Sequence, residues 1–382
     1  MLFSPEVHEP LAGKPWSARQ ARDAIRAIVG DTEAAFDDGW PAHPEDGESQ
    51  VVRFRTIYLG GAGVVDALRR LAEAGVVGTR RDYVAYLERS LEAIADSPDF
   101  PDEDSQRSLW MGETGIRLVL QRIAPSSANA DRLEQLIAAN VGDERRELMW
   151  GSPGTMLAAR ALYDATGEAR WLELWRQSAD WLRREWDEET NLWTQHLYGK
   201  DVRYLGPAHG FAGCVLALSA ERDDDLTRRA GEVVRREAIE QDGLANWPPL
   251  ASAPLEHPRT GQIRVQWCHG APGMITSLTH LLDEDLALAG GDLIWHAGPL
   301  AKGANLCHGT AGNGYAFLAL FERTGNERWL TRARAFAMHA VEQVERARSM
   351  YQRGRYTLWT GDPGTALYLA DCLEGDGALP LP

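Results

Sequence analysis

Two short stretches hold the residue types best suited to chemistry. One is Asn305-Leu306-Cys307-His308-Gly309-Thr310-Ala311-Gly312, and the other is Gln266-Trp267-Cys268-His269-Gly270-Ala271-Pro272-Gly273. Each contains Cys-His-Gly, with a second glycine three residues after the first. The 382-residue chain has only four cysteines, so finding two of them in copies of one motif is a signal. On a regular helix the adjacent Cys307 and His308 would diverge by about 100°. They converge only in a non-helical turn, which the glycines permit. Two thiolates, from Cys268 and Cys307, and one imidazole, from His308, suit Zn²⁺ and leave a fourth position open, the pattern of a catalytic rather than a structural zinc. His269 neighbours a ligand and is open to two readings, metal site or substrate contact. Cys214 and Cys372 lie inside apolar runs and read as small buried hydrophobes.

These loops are far apart in sequence, so a repeat has to bring them together. A Gly-x-x-Gly element recurs seven times, at Gly60/Gly63, Gly112/Gly115, Gly151/Gly154, Gly210/Gly213, Gly270/Gly273, Gly309/Gly312 and Gly361/Gly364. The spacing of roughly 40 to 60 residues signals a repeat architecture, and an apolar stretch usually follows each copy. Between the copies lie amphipathic segments with charged faces, at 18–28, 82–95, 129–139, 170–185, 226–239 and 328–347. Strand-like alternation is nearly absent. An apolar helix belongs inside and a charged one outside. The expected fold is therefore all-α: an α/α toroid of seven helical hairpins, a single domain over 1–382, with the glycine turns at one end. Pro-rich loops lie at 41–45 and 248–258, and the second is expected at the rim or as a lid over the mouth.

Asp and Glu outnumber Lys and Arg by 56 to 40, a formal charge of −16 that disfavours nucleic acid as a partner. No apolar run is long enough to span a membrane, and the start of the chain lacks the basic and apolar regions of a signal peptide. With few cysteines, two of them assigned to metal, a cytoplasmic location is expected.

Trp267-Cys268-His269-Gly270-Ala-Pro-Gly273, Leu306-Cys307-His308-Gly309-Thr-Ala-Gly312-Asn and Ala208-His209-Gly210-Phe-Ala-Gly213 together resemble the LanC family. These are the lanthionine synthetase cyclases and their LanC-like relatives. Glu147-Leu-Met-Trp-Gly151 and Gly361-Asp-Pro-Gly364-Thr-Ala-Leu-Tyr-Leu-Ala-Asp371 resemble the same family. The resemblance implies zinc on Cys268, Cys307 and His308. It also implies addition of a thiol, from a peptide cysteine or from glutathione, to dehydroalanine or dehydrobutyrine. Such an addition generates an enolate, which needs a positive neighbour and then a proton. Arg264 matches a family arginine for the first task and His209 a family histidine for the second. Lys302 matches a lysine that LanC-like proteins use at the glutathione site. His269 stands where many cyclases have Tyr, as in the LanC-like branch. The cyclases' catalytic Asp has no clear match. Glu147 lies nearby and is the candidate for that second acid/base role, although Arg145 and Arg146 precede it and suggest surface pairing. The dehydroamino acid must come from a separate dehydratase, or from a kinase and lyase. Two other functions compete: a zinc protein that binds glutathione or a peptide without turnover, and a toroidal carbohydrate enzyme using carboxylates such as Glu113 and Asp362.

Overall fold

One device starts every second helix of the chain. In this computed structural model, which describes residues 1–46, 51–78, 81–100, 106–257 and 259–381, the first glycine of each Gly-x-x-Gly is the N-cap of a helix. The second glycine sits one turn inside, against the carbonyl oxygen six residues before it. A Cβ would come 2.1 Å from the Ile57 oxygen at Gly63, 1.9 Å from that of Trp267 at Gly273 and 1.8 Å from that of Leu306 at Gly312. The other four repeats show the same approach. The motif is therefore a close-packing requirement. Only Gly270 among the first glycines has a left-handed φ, +106°.

The seven helices so begun are α2 (Gly61–Glu73), α4 (Glu113–Ile123), α6 (Ser152–Thr166), α8 (Phe211–Leu218), α10 (Ala271–Leu278), α12 (Thr310–Thr324) and α14 (Asp362–Glu374). Each packs on the next, and α14 closes on α2 to complete a ring. The alternate helices are α1 (Ala18–Ala34), α3 (Val84–Asp96), α5 (Ser127–Ala139), α7 (Ala169–Arg184), α9 (Asp224–Glu237), α11 (Glu284–Ala297) and α13 (Glu327–Tyr351). They form the outer layer: α1 lies on α14, α3 and α5 on α4, α7 on α6, α11 on α10, and α13 on α12. Along α12, every residue from Thr310 to Leu320 is buried. On α9 only one stripe, including Leu226, Ala230, Val233 and Val234, is buried. This is the contrast between encased and half-exposed helices that burial of apolar area requires. The expected α/α toroid of seven hairpins is the observed fold.

Two features depart from the sequence reading. α11 lacks the charged texture of the other outer helices because Gly290 and Gly291 let neighbours press close. A Cβ at Gly291 would lie 2.4 Å from Leu320. Two small antiparallel hairpins also occur, β1 (Gln195–Leu197) with β2 (Lys200–Val202), and β3 (Ile239–Gln241) with β4 (Leu244–Asn246). Three-residue strands are too short to show alternation. The loop at 248–257 pairs with the segment ahead of the fourth glycine turn, where Leu205 N–H donates to Pro249 O at 3.1 Å and Ala251 N–H to Arg203 O at 2.9 Å. That places the loop at the glycine end as expected, while Pro258 lies outside the described residues.

Candidate functional site

The four residues ahead of each first glycine form a common turn. In four of the seven turns, a side-chain oxygen four before the glycine accepts the backbone N–H of the residue just before it. Ser108 does so for Met111 at 2.8 Å, Asn305 for His308 at 3.0 Å, Thr357 for Thr360 at 3.2 Å and Glu147 for Trp150 at 2.5 Å. Two before the glycine, the backbones of successive turns join. Cys268 N–H donates to Cys307 O at 3.3 Å, Cys307 N–H to Trp359 O at 2.9 Å, and Tyr58 N–H to Trp110 O at 3.0 Å. Residues at this offset thus stand side by side around the mouth of the ring. The indoles of Trp110 and Trp267 pack on that of Trp359 at 4.9 and 4.5 Å beneath them.

This geometry brings Cys268 and Cys307 together. The influence of each thiol on the other pulls Cys268 down to about 7 and pushes Cys307 up. Gln266 Nε2 donates to Cys268 Sγ at 2.9 Å, and the Tyr58 hydroxyl donates to Cys307 Sγ at 3.1 Å. The sulfurs are nearly buried, with Cys268 9% and Cys307 4% exposed, and His308 beside them is half-buried. Burial first, then the charges of Lys302, Arg355 and Arg264, lower the His308 imidazole to about 4. Two sulfurs and a neutral imidazole are a donor set that suits Zn²⁺. Among the described residues, no three His, Cys, Asp or Glu side chains are already drawn into a metal-ligand group, so His308 would have to swing onto the sulfur pair.

A second centre lies beside the first. His209 Nδ1 meets Glu147 Oε2 at 2.9 Å. Burial alone would lower this imidazole, but the Glu147 hydrogen bond and charge more than offset it, and the net shift is upward. Glu147 is fully buried and also accepts the backbone N–H groups of Met149 at 3.0 Å, Trp150 at 2.5 Å and Gly151 at 3.1 Å. The suggested surface pairing of Glu147 is therefore corrected: Arg145 pairs with Asp143 and Arg146 with Glu185 instead. The rings of Tyr198 and Tyr204 each lie 6.3 Å from that of His209. A recess of about 850 Å³ lined by Trp150, Leu197 and Tyr198 opens alongside.

The other expected site residues divide. Arg264 is half-buried, has no carboxylate partner among the described residues, and acts electrostatically on Cys268, His269 and His308. His269 is buried, with its ring 5.8 Å from Tyr204 and Nδ1 lacking a hydrogen-bond partner among the described residues. Burial holds it well below its usual range. Lys302 is exposed and lines a smaller recess of about 200 Å³ with Asn305, Arg348 and Arg355. Glu113 is tied to Arg117 and Arg132, and Asp362 to Arg348, so neither is a free carboxylate facing a cleft. Cys214 and Cys372 are fully buried. Sequence reasoning missed Tyr58. The signal was available: Tyr58, Cys268 and Cys307 all stand two residues before their first glycine, and His209, His269 and His308 all stand one before.

The comparisons with known proteins agree with this geometry. The family model described as lanthionine synthetase C-like protein matches residues 54–381. The chain is 40% identical over 186 residues to a protein of Danio rerio named glutathione S-transferase LANCL1, covering 45% of this chain and 43% of that one. It is 30% identical over 177 residues to LanC-like protein GCL1 of Arabidopsis thaliana, covering 43% and 39%. The matches thus take in less than half the length of these relatives. Among solved structures, nisin cyclase superimposes with a TM-score of 0.59 at 14% identity, over 93% of this chain and 94% of that one, a likeness of fold. With the model match spanning most of the chain and the same helical ring, this protein belongs to the lanthionine synthetase C-like family.

Proposed function

We propose that the protein catalyses the zinc-dependent addition of a thiol to a dehydroalanine or dehydrobutyrine residue of a peptide, forming a thioether. The observation that carries this reading is that Cys268 and Cys307 stand side by side, joined by a backbone hydrogen bond at 3.3 Å, with His308 next in the chain and the His209–Glu147 pair nearby. Bound by Cys268, Cys307 and His308, Zn²⁺ would supply the Lewis acidity that keeps an incoming thiol ionised at neutral pH.

The rest of the chemistry falls to the chain. The reaction forms one S–C bond at the β-carbon, turns the alkene into a single bond, and places one proton on the α-carbon. The proton lost by the thiol balances the one gained. Arg264, a cation without a carboxylate partner among the described residues, stabilises the enolate oxygen as charge develops there. His209 delivers the proton to the α-carbon, and Glu147 holds its ring by Nδ1 so that Nε2 faces the reacting centre. Tyr198 and Tyr204 shield that step from water. Lys302 takes a glutathione carboxylate at the neighbouring recess, and the name of the Danio rerio relative supports glutathione as one thiol donor. A peptide cysteine is the alternative donor. The dehydroamino acid is the product of a dehydratase, or of a kinase and lyase.

The test is incubation of zinc-loaded protein with a dehydroalanine peptide and glutathione, and separately with a dehydrated peptide that keeps a cysteine. Thioether product in either arm is expected. No product in both would overturn the proposal, and glutathione binding without product would mark a binding protein.

A further inference from the structure

We infer that Tyr58 and Gln266 are positioning residues that tune the sulfur pair, each by one hydrogen bond to a different cysteine. This rests on the zinc reading above. The Tyr58 hydroxyl reaches Cys307 Sγ at 3.1 Å across 249 residues of sequence, from the first repeat to the sixth. Gln266 Nε2 reaches Cys268 Sγ at 2.9 Å. An amide N–H can only donate, so Cys268 Sγ is the acceptor there. Cys268 N–H donates to Cys307 O at 3.3 Å, so the two cysteines are neighbours, flanked by the Tyr58 hydroxyl on one side and the Gln266 amide on the other. Each sulfur receives one uncharged donor from outside the Cys-Cys-His set.

Two features make this more than incidental contact. The polar tips of both residues are spent on sulfur, and neither side chain has another hydrogen-bond partner among the described residues. Both also occupy fixed offsets of the repeat. Tyr58 shares the offset of the cysteines, and Gln266 stands where Ser108, Asn305 and Thr357 cap their turns. Gln266 has left that capping task and turned to sulfur. A donor on a thiolate disperses its charge, fixes its rotamer and leaves a bound metal more electron-poor. Such a metal holds an incoming thiol as thiolate more firmly.

Cobalt(II), which reports on sulfur ligation through its sulfur-to-metal charge-transfer absorption, provides the test. Wild type, Tyr58→Phe and Gln266→Met are titrated with cobalt and their spectra compared. All three should take up cobalt with the same stoichiometry. In each variant the charge-transfer band should move to longer wavelength, because sulfur relieved of a donor gives up charge more easily. Cobalt affinity should fall by about 10- to 100-fold, because the freed sulfur rotamer outweighs its stronger donation. Cobalt uptake with both variant bands at the wild-type position would overturn this inference alone. No uptake by wild type would overturn the metal reading, and this inference with it. Tyr58→Phe removes one oxygen, so a fold defect is not expected, and Gln266→Met gives an independent reading on the other sulfur.

Discussion

Repeats four to six and repeats one, two and seven use the same turn for different ends. At the offset two before the first glycine, the fifth and sixth turns carry Cys268 and Cys307, while the second and seventh carry Trp110 and Trp359. At the next offset, the fourth to sixth carry His209, His269 and His308, while the first, second and seventh carry Leu59, Met111 and Thr360. Yet the second glycine presses on the carbonyl six residues back in all seven, with a Cβ approach between 1.8 and 2.2 Å. The backbone device is indifferent to what it displays. Fold and chemistry therefore sit on separate residues only a few positions apart, and each can be damaged without the other.

Substitutions within one turn break the comparison most directly. Gly312→Ala would thrust a methyl to 1.8 Å from the Leu306 oxygen inside a buried helix start. It should cost about 3–5 kcal/mol, in the range of severe backbone clashes, and most of the cooperative melting transition. Cys307→Ala, five residues earlier, should abolish thioether formation while thermal unfolding shifts by only a few degrees. If both variants unfold alike, the separation of roles fails.

The next effect concerns the paired centre. His209→Ala should lower the rate of addition by about 10²- to 10⁴-fold, the usual worth of a general acid. Glu147→Gln keeps an oxygen for the Trp150 and Gly151 amides, but it sets an NH2 group where Oε2 took the Met149 amide and His209, and it removes the charge that steadies His209. It should lower the rate less than His209→Ala does and flatten the rise in activity with imidazole protonation. A fully active Glu147→Gln would confine Glu147 to capping its turn.

Away from the mouth the fold carries its own buried charge. Burial alone would raise the Asp66 carboxyl, but Arg70, Arg122 and Arg69 outweigh it and hold it at about 2. Its folded value lies below the unfolded one, so its stabilisation is present above about pH 4 and lost as pH falls towards 2. Asp66→Asn should cost about 2 kcal/mol at pH 7 and remove that part of the acid-induced loss, with zinc content and activity unchanged. Urea titrations at pH 7 and pH 3 read this out. The smallest expected effect is at Lys302. Lys302→Ala should raise KM for glutathione severalfold, leave kcat nearly unchanged and not affect addition from a peptide cysteine. An equal loss with both donors would remove the carboxylate role.

Much of this was legible in the sequence because the repeat is a steric requirement. Only glycine fits beside the Leu306 or Trp267 carbonyl, so the motif recurs wherever an inner helix starts. The sulfur pair was legible because two equal offsets imply two adjacent places on one rim. Surface pairing of Glu147 fails although Arg145 and Arg146 stand beside it in sequence, because the turn geometry points the three side chains to His209, Asp143 and Glu185. Tyr58 escaped because a tyrosine before a glycine turn reads as core. Its meaning depends on the ring closing so that repeat one faces repeat six. α11 escaped because Gly290 and Gly291 weaken the helical pattern for the sake of packing against Trp247 and Trp329.

Metal analysis of the purified protein and of Cys268→Ala and Cys307→Ala, with circular dichroism on the same samples, tests the central claim most directly. Stoichiometric zinc in the wild type, its loss in both variants and an unchanged helical spectrum are predicted. A wild type that takes up no zinc on reconstitution, or variants that retain it, would contradict the account.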